Sequence, residues 1–136
     1  MVRRGLVVGA LILFAGGCAS LPMSCPAGGR ERAVAELLFG RNIGGGVGVS
    51  QAAFRRFIDA EVTPRFPDGL TILDAHGQYR DAARAALVRE PSKVVLIVLD
   101  DEARDAPRLV EIADAYKRRF RQQSVGIITR RSCVAF

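Results

Sequence analysis

The chain has 136 residues, which suits one domain, and 49% of them are hydrophobic, which argues against disorder and for a packed core. The formal charge is +6, from 20 Lys+Arg against 14 Asp+Glu. That mild excess suits anionic lipid headgroups in general terms. No Lys/Arg stripe interleaved with aromatics appears, which argues against nucleic acid as a partner.

"MVRR" opens the chain as a short positive segment, and the apolar "GLVVGALILFAGG" follows. That run has the length of a signal-peptide core and is too short to span a bilayer comfortably. It ends at Ala15, Gly16 and Gly17, directly before Cys18. Small residues and then cysteine resemble the lipobox of a bacterial lipoprotein signal, with Ala15 where leucine is usual. The expectation is a leader over residues 1–17 and a Cys18 that carries lipid on its sulfur and its amine. Several acyl chains give near-permanent membrane attachment, since each buried CH₂ contributes about 0.8 kcal/mol. Ala19 follows the cysteine in place of Asp, which by analogy with Gram-negative sorting points to the outer membrane, facing the periplasm. The alternative is an ordinary secreted protein cut near "GGCAS". Without Arg3 and Arg4 the balance is 18 against 14, or +4.

Residues 18–32 hold Pro, Gly and Ser and read as a tether to a single α+β domain over 33–136. "AVAELLFG", 33–40, is a predicted strand, and the bunched glycines of "RNIGGGVG" read as a flexible connection. They lack the "GK[ST]" or spaced glycines of a phosphate cradle. Ser50 is a helix cap, ahead of Phe54, Phe57, Ile58 and Val62 at helical spacing, and Pro64 ends that helix. Pro67, Asp68 and Gly69 form a turn. "LTILDA" is a strand, "HGQYR" a turn with a return, and "DAARAAL" a small, helical insertion. The β-branched run from Val94 to Leu99 is the candidate central strand. Asp100 and Asp101 open a second helix with Ala106, Leu109, Ala113, Tyr116 and Phe120 along one face. "SVGIITRRSCVAF" is the last strand.

Strand, helix, strand, strand, helix, strand fits the ferredoxin-like α+β sandwich, βαββαβ. It is a four-stranded antiparallel sheet with two helices on one face, the first and third strands central. The last strand then runs antiparallel to the first, which brings Cys133 near Cys25. A disulfide between them is favoured in an oxidising compartment, two free thiols or thiols that pair between molecules being the alternative.

"AELLFGR", "VTPRFPDGLTILDAHGQYR", "REPSKVVLIV" and "SCVAF" resemble the domain-of-unknown-function 3574 family of small bacterial envelope proteins, over about residues 25–136. The resemblance implies an exported location and this fold, and it brings no reaction and no catalytic residues.

His76 is the sole histidine, in the predicted turn, without the partners a metal or a triad needs. No metal site and no cofactor is expected. Arg65, Asp74, Arg80, Glu90 and Lys93 fall on or beside the second and third strands. They could clasp a carboxylate or phosphate, or form a structural salt-bridge network. Arg80 and Glu90 are placed for a cross-strand ion pair. The expected function is a non-catalytic binding or structural module of the cell envelope, held to the membrane by its lipid and able to form a homodimer through the open sheet face. The second reading is a small enzyme of the dimeric α+β barrel type with a pocket on that face, using Asp74, His76 or Glu90 as acid/base. A peptide or nucleic-acid binder working through the basic helix end is the weakest reading.

Overall fold

A computed structural model describes residues 24–26 and 28–136. The expected leader over 1–17, the Cys18 expected to carry lipid, and residues 19–23 and 27 of the expected tether lie outside the described residues. Cys25 and Cys133 are joined by a disulfide, with Cα atoms 5.4 Å apart.

Strand β1 (Arg30–Gly40) starts ahead of the predicted Ala33. Its alternation turns Ala33, Ala35, Leu37 and Phe39 to one face, where all are buried. The glycine-rich stretch after it is a ribbon of two short strands, β2 (Asn42–Ile43) and β3 (Gly46–Val47). Gly44 and Gly45 turn it with φ of +64° and +102°, the positive values that the tightest hairpins need at both central residues.

Helix α1 (Gln51–Phe57) is capped by Ser50, whose hydroxyl accepts from the Ala53 N–H at 3.1 Å. It runs on as a π-helical segment, Ile58–Val62, and the two together bury Phe54, Phe57, Ile58 and Val62. Strands β4 (Thr71–Asp81) and β5 (Ala86–Leu99) form one long hairpin. The turn expected at "HGQYR" is absent, because β4 continues through His76 to Asp81. The stretch read as a helical insertion is the hairpin's turn. There the Asp81 carboxylate accepts from the Ala83 and Arg84 N–H groups, so a turn satisfies the backbone without a helix. Helix α2 (Glu102–Phe120) is capped by Asp101, which accepts from the Arg104 N–H at 3.0 Å. On its inner face Leu109, Ala113 and Tyr116 are buried as predicted, and Asp105 and Ile112 join them, while Ala106 is exposed. Strand β6 (Gly126–Val134) ends the fold.

The sheet order is β4-β5-β1-β6, antiparallel throughout. The chain is therefore α+β, with a four-stranded antiparallel sheet and two helices. The strict βαββαβ order is not matched. Among the described residues there are six strands, because the β2–β3 ribbon stands between β1 and α1.

Both helices bury their apolar residues against one face of the sheet. Phe39 is the hub, with its ring edge-on to Phe54, Phe57 and Tyr116 at 4.6 to 6.0 Å between centroids. Among the described residues no helix lies on the other face. A row of Gly126, Leu38, Val94 and Leu73 crosses all four strands there, and Leu38 and Leu73 stand exposed.

Candidate functional site: a groove under the overhanging hairpin

Strand β1 stops at Gly40, opposite Ser92, while the β4–β5 hairpin continues as an arm of residues 76–81 and 86–91. The arm, the β2–β3 ribbon and the link from Arg121 to Ser124 enclose an open groove of about 1270 Å³.

Glu90 stands in this groove, half-buried, opposite Gly77 and beside Gly40. A Cβ on Gly40 would lie 2.9 Å from both Glu90 carboxylate oxygens. A Cβ on Gly77 would lie 3.3 Å from its Cγ and 3.4 Å from the Ser92 Oγ. The two glycines thus leave the space in which the carboxylate sits, which is the close approach that glycine inside a strand often marks. The Asn42 N–H is 3.4 Å from Glu90 Oε2, and among the described residues no cation forms an ion pair with Glu90. Glu90, Ser92 and Val94 alternate onto the uncovered face, so the carboxylate opens to the side that lacks helices.

The helix side of the same strands is built differently. Lys93, 1% exposed, lies opposite Phe39 in β1 and Asp74 in β4. Its ammonium donates to Asp74 Oδ1 and lies 5.9 Å from the centroid of the Phe54 ring. Asp74 is exposed, and its carboxyl is held below the usual carboxylate range. The hydrogen bond from Lys93 is the largest cause, the Lys93 charge the next, and Arg41 and His76 add less. Tyr116 donates its hydroxyl to the Gly40 carbonyl at 2.9 Å, and burial pushes its phenol well above the ordinary value. Gly40 is therefore pinned from the core while its other side receives Glu90.

Arg80, Glu90 and Lys93 line the groove with His76, and Asp74 adjoins it through Lys93. Arg80 lies opposite Leu87 and Glu90 opposite Gly77, so their side chains leave opposite faces of the arm, and no ion pair joins them among the described residues. Arg65 is elsewhere, in the turn after the π-helical segment. It donates to the Glu61 carbonyl at 2.7 Å and to the carboxylates of Glu61 and Glu111 at 3.1 and 3.4 Å. Gly40, Asn42 and Gly77 were not singled out in the sequence. Gly77 gave the one available signal, a glycine amid strand-forming residues.

A smaller cavity of about 220 Å³ lies between Arg65, Asp68, Asp100, Arg104 and Arg108. Its buried wall is Asp105, which accepts from Arg104 Nε at 3.0 Å, Arg108 Nη1 at 3.2 Å and the Asp101 N–H at 3.2 Å. Burial alone would push the Asp105 carboxyl up, but these donors outweigh it and hold it below the usual range. Among the described residues no cluster of three His, Cys, Asp or Glu is placed to hold a metal ion, and no helix is long and apolar enough to cross a membrane.

The fold is shared with solved structures of a phage SAM lyase. The lyase in complex with S-methyl-5'-thioadenosine superposes with a TM-score of 0.61 at 16% identity, covering 86% of this chain and 97% of that one. Its apo state gives 0.60 at 16% identity, with 82% and 87% covered. At that identity the likeness is one of fold. It runs against the expectation of a non-catalytic binding or structural module, because in the phage protein this architecture carries an enzyme. No curated protein matches the chain. Residues 34–136 match the family described as a protein of unknown function, DUF3574, and the chain belongs to that family.

Proposed function

We propose that this chain is a small enzyme whose active site is the groove under the β4–β5 arm, with Glu90 as its acid/base group. The observation that carries this is the Glu90 carboxylate itself. It sits in a slot left by Gly40 and Gly77, half-buried, with no cation paired to it among the described residues. Structural carboxylates elsewhere in this fold are paired: Asp105 with Arg104 and Arg108, Glu36 with Arg130, Asp114 with Lys117. A carboxylate left free in a groove can take a proton from a bound ligand and return it as the reaction closes. Elimination, in which a proton is removed and a neighbouring bond breaks, is the class that suits one such base. Leu38, Val94 and Tyr79 supply apolar lining for a flat ring, and Ser92 and Asn42 supply hydrogen bonds at the polar end. The phage SAM lyase bound to S-methyl-5'-thioadenosine supports a small nucleoside-type ligand.

The arrangement of the four main strands supports a finer description of the fold, a ferredoxin-like sandwich with an added ribbon. The disulfide supports an exported protein, because such bonds persist in oxidising compartments. With the lipobox-like "AGGC" at 15–18, it supports a lipid anchor at Cys18 and a place at the outer membrane facing the periplasm.

Calorimetric titration with S-methyl-5'-thioadenosine tests the groove. The expected result is saturable binding that weakens at least tenfold in Glu90→Gln. Absence of binding to the native chain up to millimolar ligand would remove this ligand class.

A further inference from the structure

From the uncovered sheet face we infer that two copies of this chain meet through it, and that each copy roofs the Glu90 groove of the other. The inference rests on the groove reading above and adds who completes the site.

The face carries one apolar row across its full width. That row, Gly126–Leu38–Val94–Leu73, spans all four strands, and in the next row Ile128 and Leu96 flank Glu36. Leu38 is 38% exposed, Ile128 44% and Leu73 49%. A contiguous exposed apolar patch of this kind marks an interaction surface.

The charges beside it are matched within the copy. Glu36 pairs with Arg130 at 2.7 Å, and Arg32 with Asp100 at 3.0 Å. A polyanion or an anionic bilayer would call for unmatched cations here. Away from Glu90, two copies facing each other present apolar rows and neutralised pairs, with little like-charge repulsion, which suits an isologous contact between sheets.

The patch runs directly into the groove. Leu38, Val94 and Gly126 belong to both. Glu90 stands four residues from Val94 along β5, roughly 13 Å at 3.3 Å per residue. A partner sheet as long as β1, at 11 residues, reaches past it. At a sheet spacing of about 10 Å the partner covers the open side of the groove, where none of the described elements lies. Closing the site in this way would exclude water from the Glu90 carboxylate.

Sedimentation equilibrium of the purified full chain, in density-matched detergent, reads the contact. A mass of two chains is expected at micromolar concentration. Leu73→Arg, on the exposed edge strand, should give one chain with an unchanged thermal midpoint, and Ile128→Glu, outside the groove lining, serves as the second variant. Deuterium uptake by residues 86–94 should rise in the single-chain variants, which reads the roof without any ligand. A one-chain mass for the native protein up to about 100 μM, or uptake over 86–94 that ignores dissociation, overturns the inference. S-methyl-5'-thioadenosine titrated into the same samples should bind at least tenfold more weakly to the dissociated variants. If the native dimer binds none, the ligand reading fails while the mass and exchange results still decide the roof.

Discussion

The buried ammonium of Lys93 meets the exposed carboxylate of Asp74 directly across the β4–β5 ladder. One partner is thus desolvated and the other is not. Removing the carboxylate leaves a buried cation without its ion-pair partner beside the Phe54 ring, whereas replacing the cation by an apolar chain of similar length removes the problem. Asp74→Asn should lower the thermal midpoint by several degrees, and Lys93→Met should hold or raise it. The Asp74 carboxyl lies below its ordinary value of 3.8 in the folded chain. Its contribution is therefore present above that value and is lost as pH falls below it. Melting curves of the native chain and Asp74→Asn should converge as pH is lowered through and below 3.8.

Gly40→Ala separates stability from the site. The new Cβ would press on both Glu90 oxygens at 2.9 Å, and these are the end of a flexible side chain. The fold should lose under about 1 kcal/mol, because Glu90 can swing aside, while ligand binding in the groove should fall sharply. In Gly40→Ala combined with Glu90→Ala, the added cost of Gly40→Ala on binding should vanish. A double-mutant cycle read by titration and by denaturant melts checks both halves.

The Cys25–Cys133 bridge closes a separation of 108 residues. The chain-entropy account gives about 4 to 5 kcal/mol for a loop of that size. Replacing both cysteines by serine should cost about 2 to 5 kcal/mol in urea unfolding, and reductant should produce the same loss in the native chain.

Asp105 is the buried acid of α2, held by Arg104, Arg108 and the Asp101 N–H. Asp105→Ala removes these charge-assisted bonds and leaves the Asp101 N–H without its acceptor. The expected loss is about 2 kcal/mol, measured by urea unfolding, with ligand binding in the distant groove unchanged.

Much of this fold was legible along the chain. Val94 to Leu99 announced a central strand because a strand covered by helices on one side and neighbours on both edges needs few polar residues. Ser50 announced a helix start because its side chain competes for the first free N–H groups, and Asp100 and Asp101 did so because acidic residues suit the positive end of a helix. The middle of the hairpin was not legible. His76, Gly77 and Gln78 break the apolar alternation, since this part of β4 pairs with the arm alone and has no core beneath it. The ribbon was hidden because its two strands of two residues carry no periodicity. The site was legible only in part. Glu90 and Lys93 were visible as strand charges, but their faces depend on register, which a few residues of misplaced turn reverse. Arg65 was grouped with them by nearness in sequence, and the turn after the π-helical segment carries it beside Arg108 and Glu111 of α2 instead.

Backbone amide shifts of the chain, mapped during addition of S-methyl-5'-thioadenosine, test the central claim most directly. The account predicts saturating changes concentrated at Gly40, Asn42, Gly77, Tyr79, Glu90 and Ser92. Changes centred instead on Arg65, Asp68 and Arg108, or no change at millimolar ligand, would contradict it.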